Sequence, residues 1–207
     1  MLVADYVMCQ EFPCEDVIHG RFTVSPMEID AQSIRCVMVS ESPAPDPAND
    51  FHASGEPFFM ETTLQAFADA GFPVSSMDDI LDLGIYITTA VKCAKTEYAV
   101  PTAAIKTCSR LLETELDLFP NLEVILAMGD VAIRAVNEIG RRKTGVRVIP
   151  AGSTYQLRGP EYTLDGVQVL PSYLQTGKSY LIEKSKQRMV AEDLRTALQL
   201  IGLQPTD

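Results

Sequence analysis

Four short apolar runs punctuate the chain: IRCVMVS at 34–40, GIYIT at 84–88, LEVILAM at 122–128 and GVRVIP at 145–150. Each has strand length and none alternates cleanly with polar residues, so each reads as a strand covered on both faces. Between them the spacing becomes helical. FFMETTLQAFADAGF puts Phe59, Leu64, Phe67 and Ala68 on one stripe, and Gly71 suits its carboxyl cap. PTAAIKTCSRLLETELDLF opens on a proline that fits a first helical turn, and it aligns Ile105, Cys108, Leu112, Leu116 and Phe119. DVAIRAVNEI predicts a helix after Gly129 with Asp130 as its cap. SKQRMVAEDLRTALQLIG carries Met189, Val190, Leu194, Ala197, Leu198 and Ile201 on one side and stops at Gly202. In YTLDGVQVLP, the Asp165-Gly166 pair between alternating residues predicts a hairpin.

Strands separated by helices of this length predict a parallel sheet with helices on both faces. Ligands of such sheets bind beyond the carboxyl ends of the strands, which draws the loops 41–57, 89–98 and 171–180 toward one crevice. The first of these holds four prolines and cannot be regular structure. There is no internal repeat and no linker-like stretch, so residues 1–207 are expected to form a single domain. Neither GxGxxG nor GxxxxGK[ST] occurs, which excludes phosphate loops of those kinds.

Composition narrows the class. A chain that is 46% hydrophobic and 22% charged can bury a core. No apolar run approaches the roughly 20 residues that span a bilayer. The first residues, MLVADYVMCQEFPCED, lack a basic n-region and a cleavage pattern, so a cytoplasmic location away from membranes is expected. The net charge of -11 argues against a general nucleic-acid binder. Residues 1–133 hold 6 Lys+Arg against 21 Asp+Glu, while residues 134–195 hold 11 against 6, so the C-terminal third is expected to offer a basic face.

Five cysteines in 207 residues do not make a disulfide framework. Cys36 falls mid-strand and reads as a packed core thiol. Cys9 and Cys14 flank four residues of the leader; Cys93 lies on a loop and Cys108 in the following helix. A pair from each place converging on one metal centre suits zinc or an iron–sulfur cluster. The same pattern also fits a core Cys108 with three incidental thiols and no metal.

The order of segments then becomes specific. VSESPAP, GEPFFMETTLQAFADAGF, YITTAVKCAKTEYAVPTAAIKTCSRLLETEL, VILAMGDVAIRAV, and VLPSYL followed by AEDLRTAL resemble, in that order, the uracil-DNA glycosylase superfamily, in particular its bacterial and archaeal iron–sulfur branch. The likeness covers about residues 9 to 198. It implies a three-layer α/β/α sandwich around a four-stranded parallel sheet, and a [4Fe-4S] cluster held by Cys9, Cys14, Cys93 and Cys108, with a structural role. The family's first pair is CxxC, whereas CQEFPC spaces its cysteines by four residues.

The resemblance also implies a site. Phe58 matches the phenylalanine that stacks on the base, and Glu41 matches the acid of the first loop, with Asp46, Asn49 and Asp50 following in the same polar stretch. The family's base-reading Asn is Thr89 here, and a hydroxyl cannot make the two-point contact of an amide. The family's His falls near Leu174 in PSYLQTGKS, and neither of the two histidines, His19 and His52, lies in that loop. Gln175, Thr176 or Lys178 would replace it, or His52 from the first loop. The expected activity is hydrolysis of the N-glycosidic bond of uracil or another deaminated base in DNA, as in base excision repair, with an altered pocket. Its counterpart is a catalytically inactive iron–sulfur protein of the same fold that binds a nucleotide, nucleic acid or protein. Expected partners are DNA, met through the basic C-terminal third, or a free nucleobase or nucleotide; the expected state is a monomer.

Overall fold

Three of the four apolar runs become strands of the main sheet. In the computed structural model, which describes residues 1–177 and 180–206, the strands are β1 (Val17–Phe22), β2 (Cys36–Ser40), β3 (Ile85–Thr89), β4 (Cys93–Lys95), β5 (Val124–Met128), β6 (Tyr162–Leu164) and β7 (Val167–Ser172). The helices are α1 (Phe58–Asp69), α2 (Met77–Asp82), α3 (Thr102–Leu116), α4 (Asp130–Thr144), α5 (Thr154–Leu157) and α6 (Lys184–Leu200). The main sheet has the order β3-β2-β5-β7-β6. Its first four strands are parallel, and β6 adds an antiparallel edge through the Asp165-Gly166 turn.

Both faces of the sheet are covered, which is why β2, β3 and β5 are buried at every position. Val37, Val39, Ile125 and Ala127 face a core shared with α3 and α4. Cys36, Met38, Leu126 and Met128 face the other, shared with α1 and α6. The predicted stripe Ile105, Cys108, Leu112, Leu116 and Phe119 is buried throughout. On α6 Val190, Leu194, Ala197, Leu198 and Ile201 are buried, and Met189 is half-buried.

The structure corrects three details. GVRVIP is not a strand. Its backbone lies along α4, where the Asn137 amide bonds Ile149 on both sides, donating to the carbonyl at 3.0 Å and accepting from the N–H at 2.8 Å. A β-carbon on Gly140 would sit 2.5 Å from Val148, so glycine admits this close approach. One side-chain amide thus satisfies groups that a sheet would otherwise have paired, and the fourth parallel strand is β7 instead. Asp130 is the first residue of α4 rather than its cap; Gly129 takes the cap position at φ 87°.

The leader supplies the third correction. It folds back as β1 and pairs antiparallel with β4, Phe22 opposite Cys93, in a small second sheet. No helix among the described residues is long and apolar enough to cross a membrane.

Candidate active site

The chain leaves β2 toward α1 on one face of the sheet and leaves the neighbouring strand β5 toward α4 on the other. Connections that diverge from adjacent parallel strands open a crevice between them. The loop after β7 crosses that place. Gly129, at the end of β5, donates its N–H to the Ser172 carbonyl at 2.8 Å, and a side chain on Gly129 would meet Leu174 at 3.2 Å. Thr176 Oγ1 lies 3.4 Å from Ser40 Oγ at the end of β2. Ser40 is in turn registered with Thr89 at the end of β3. The loops 41–57, 89–98 and 173–177 therefore meet as expected at the carboxyl ends of the strands.

Glu41 follows β2 and is ion-paired with Lys95 of β4, which also donates to the Tyr98 carbonyl at 2.8 Å. The carboxylate is thus fixed by the strand that carries Cys93. Asp46 is exposed and occupied as a cap, its side chain accepting from the N–H of Ala48 at 3.0 Å. Asp50 is the buried acid of this loop. It accepts from Phe51 N–H at 3.1 Å and faces Arg21 at 3.4 Å. Burial pushes its carboxyl up, against the opposing pull of that N–H and of Arg21. Phe58 opens α1 and is half-buried, with its ring 6.4 Å from that of Phe59. His52 is half-buried, and burial holds its imidazole below the usual value while Asp78 pulls the other way.

Thr89 is buried, and its carbonyl accepts from Lys92 Nζ at 2.8 Å. Gln175 is fully buried; its Nε2 lies 3.4 Å from Thr63 Oγ1 of α1, and its Oε1 has no partner among the described residues. Lys178 lies outside the described residues. Under the crevice, Lys92 and Glu115 form an ion pair with both side chains 0% exposed. Glu115 also accepts from Tyr86 OH at 2.8 Å and Thr88 Oγ1 at 2.9 Å. Sequence reasoning missed Lys92, Lys95 and Glu115, because single charges beside apolar runs read as solvated ends.

The four cysteines named above line one narrow apolar pocket of about 10 Å³, together with Phe12, Val17, His19, Phe22, Val91 and Thr107. Phe12 allows the long CQEFPC spacing by taking a left-handed turn at φ 43°, and its ring packs on His19 and Phe22. Burial, then the proximity of Cys108, Cys9 and Cys14, pushes the Cys93 thiol up to about 12. Cys14 and Cys108 are raised as well, burial first. Cys14, Cys93 and Cys108 so placed resist joint ionisation unless a cationic core compensates them. Among the described residues no group of three His, Cys, Asp or Glu is close enough for a single ion. One zinc would bring sulfurs to about 3.8 Å of one another, from Zn–S bonds of about 2.3 Å. A cubane spreads its four thiolates over four irons, so four cysteines lining one pocket are the donor set such a cluster needs.

The basic residues of the C-terminal third do not form one face. Arg141, Arg142 and Lys143 end α4 at the amino ends of the strands, away from the crevice, and are spent on Glu138, Glu113, Asp117 and Asp165. Lys184, Lys186 and Arg188 start α6 on the crevice side, with Lys186 5.7 Å from the Tyr173 ring. Leu181 and Ile182 precede them, 48% and 79% exposed.

A family model described as the Uracil DNA glycosylase superfamily matches residues 26–195, from just before β2 into α6. The chain belongs to the uracil-DNA glycosylase superfamily. Within this superfamily it is similar to a Type-5 uracil-DNA glycosylase of Thermus thermophilus, 32% identical over 127 residues, which are 61% of this chain and 55% of that protein. The chain thus matches only about half the length of this curated relative. The crystal structure of wild-type UNG from Nitratifractor salsuginis is a remote likeness, with a TM-score of 0.42 and 11% identity over 82% of this chain and 75% of that one. Cys9 and Cys14 precede the residues that match the superfamily model.

Proposed function

We propose that this chain is a cytoplasmic DNA glycosylase of base excision repair. It hydrolyses the N-glycosidic bond of uracil or another deaminated base, and it carries a [4Fe-4S] cluster on Cys9, Cys14, Cys93 and Cys108. The observation that carries this reading is the gathering of Glu41, Phe58, Thr89 and Gln175 at one end of the parallel strands in a member of this superfamily. The target base leaves the stack and lies on the Phe58 ring. Thr89 and Gln175 meet its polar edge. Glu41, held by Lys95, supports the cation that develops on the sugar or orients the attacking water. The Thr89 and Thr176 hydroxyls face the negative charge developing on the base in place of a histidine; Lys178 is the cation proposed to share that role. Losing one placed donor costs on the order of 10²–10³ in rate, so turnover is slow.

When bound, the cluster supplies a structural cross-link between the leader and β4. Lys184, Lys186 and Arg188 meet phosphates at the start of α6, beside the apolar tip of Leu181 and Ile182. The test is base release from single- and double-stranded DNA carrying uracil, hypoxanthine or xanthine, using protein purified without oxygen, alongside its visible spectrum and iron and sulfide content. Abasic product that disappears in Glu41→Ala supports the reading; no product from any substrate refutes it.

The engagement of Glu41 by Lys95 favours a second reading, an inactive protein of the same fold that binds nucleic acid or a free base or nucleotide. Binding without turnover distinguishes it.

A further inference from the structure

We infer that Gln175 reads the edge of the base and that Thr63 fixes which bases it accepts, an inference that rests on the reading of this site as a base pocket. Gln175 is fully buried, yet its Oε1 meets no donor among the described residues. The direction of the amide follows from its neighbour. Thr63 has one hydroxyl proton, and it goes to the Phe59 carbonyl at 2.7 Å. Toward Gln175, 3.4 Å away, that hydroxyl therefore only accepts, and the end facing it is the NH₂. The carbonyl is the end left over. An amide held this way offers an acceptor and a second N–H side by side.

That pair is complementary to a lactam edge. In uracil N3–H faces the acceptor and O4 faces the N–H. Hypoxanthine and xanthine present N1–H and O6 in the same sense. Cytosine and adenine present the reverse, a ring-nitrogen lone pair beside an amino group, and both contacts become repulsive. A glutamine free to turn over would accept either kind. One anchored by Thr63 accepts a lactam edge and rejects cytosine and adenine, and the amide that the site lacks at Thr89 comes instead from the loop after β7. Thymine carries the same edge as uracil, and guanine the same edge as hypoxanthine and xanthine, so this contact does not separate these normal bases from the deaminated ones.

Thr63 is a positioning residue; Gln175 touches the base. The position suits the task. Thr63 lies in the second turn of α1, five residues after Phe58, and Thr176 beside Gln175 reaches Ser40, the register partner of Thr89.

The experiment measures binding and needs no turnover. Anisotropy is recorded with a labelled single-stranded oligonucleotide bearing one 2′-fluoro-2′-deoxyuridine, whose glycosidic bond resists hydrolysis, and with its 2′-fluoro-2′-deoxycytidine counterpart. The native protein binds the uracil probe at least about tenfold more tightly, the effect of one mispaired buried polar group. Gln175→Met weakens uracil binding about tenfold or more and erases the preference. Thr63→Val brings the ratio of the two affinities toward one, and Thr63→Ser, which keeps the acceptor, restores it. Thermal melts establish that the variants are folded, and where one is not, the other carries the test. An unchanged ratio in folded Gln175→Met or Thr63→Val overturns the inference, as does a native protein without preference. The glycosylase reading fails separately: a Gln175-dependent preference with no base release leaves the reader standing, and base release with an insensitive ratio leaves only the glycosylase.

Discussion

Replacing Glu115 with leucine tests the buried network beneath the crevice. In the native fold Lys92 and Glu115 are wholly out of solvent. Glu115 receives the ammonium, the Tyr86 hydroxyl at 2.8 Å and the Thr88 hydroxyl at 2.9 Å. Lys92 otherwise has only neutral acceptors, Thr88 Oγ1 at 2.7 Å and the Thr89 carbonyl at 2.8 Å. Glu115→Leu strands a buried charge, which costs about 3–5 kcal/mol, and orphans the Tyr86 hydroxyl, which adds about 1–3 kcal/mol. For a chain of this size each kcal/mol lowers Tm by about 2–4 °C, so a drop of at least about 8 °C is expected. Lys92→Met with Glu115→Leu removes both charges and leaves only hydroxyls unpaired. The double variant should therefore be more stable than Glu115→Leu alone. Urea unfolding of the native protein, both single variants and the double variant, under one anaerobic buffer, gives the coupling directly. A double variant as unstable as the two single losses added together would refute the argument, since the two charges would then not depend on each other.

Further outcomes follow from other parts of the fold. Burial lowers the His52 pKa, so the folded chain binds that proton less readily than the unfolded one. Stability from this group is full above about pH 6.5 and is lost as pH falls toward the lowered value, by at most about 1.4 kcal/mol per pH unit. His52→Asn should flatten that part of the native stability curve, and curves of equal slope would contradict the assignment. Lys184→Gln should weaken DNA binding and reduce the salt slope by about 1, whereas Lys143→Gln, at the far end of the strands, should change neither; titrations at several salt concentrations decide. Lys95→Met should lower kcat for base release about tenfold with little change in KM, because it releases Glu41 without touching the stacking face; a rise in kcat would mean that Lys95 restrains the acid rather than positions it.

Much of the sheet was legible because burial on both faces leaves a plain signature in IRCVMVS, LEVILAM and GIYIT. The four long helices were legible from their stripes. GVRVIP misled because an apolar run says that a segment is buried, not what pairs its backbone, and here the partner is the side chain of Asn137. β1 was hidden for the opposite reason. VIHGRF is mostly exposed, and only β4 makes it a strand. Of the candidate site, Phe58 and Thr89 were named from their motifs. Glu41 was found as an acid but not as a paired one, since its partner Lys95 is 54 residues away. Asp46 looked equivalent to Asp50 in sequence; only the fold exposes the first and buries the second.

The stretch from Tyr86 to Lys95 explains why these features belong together. Tyr86 and Thr88 point into the Glu115 network, and Thr89 ends β3 beside Ser40. Lys92 ties the Thr89 carbonyl to that network. Cys93 turns to the cavity shared with the leader, and Lys95 holds Glu41. Ten residues thus connect the sheet, the thiols, the proposed base pocket and Glu41. A glycosylase must hold an acid and a base pocket in fixed relation while DNA is distorted against them. The short β4 has only three residues and one partner strand, β1, in its sheet, so its own hydrogen bonds are too few to hold Lys95 rigidly. A buried ion pair on one side, and on the other the cluster proposed on the four cysteines, would provide that rigidity. On the proposed reading a cluster would act through the placement of Glu41, and its loss would reach Glu41 before it reaches Phe58 on α1.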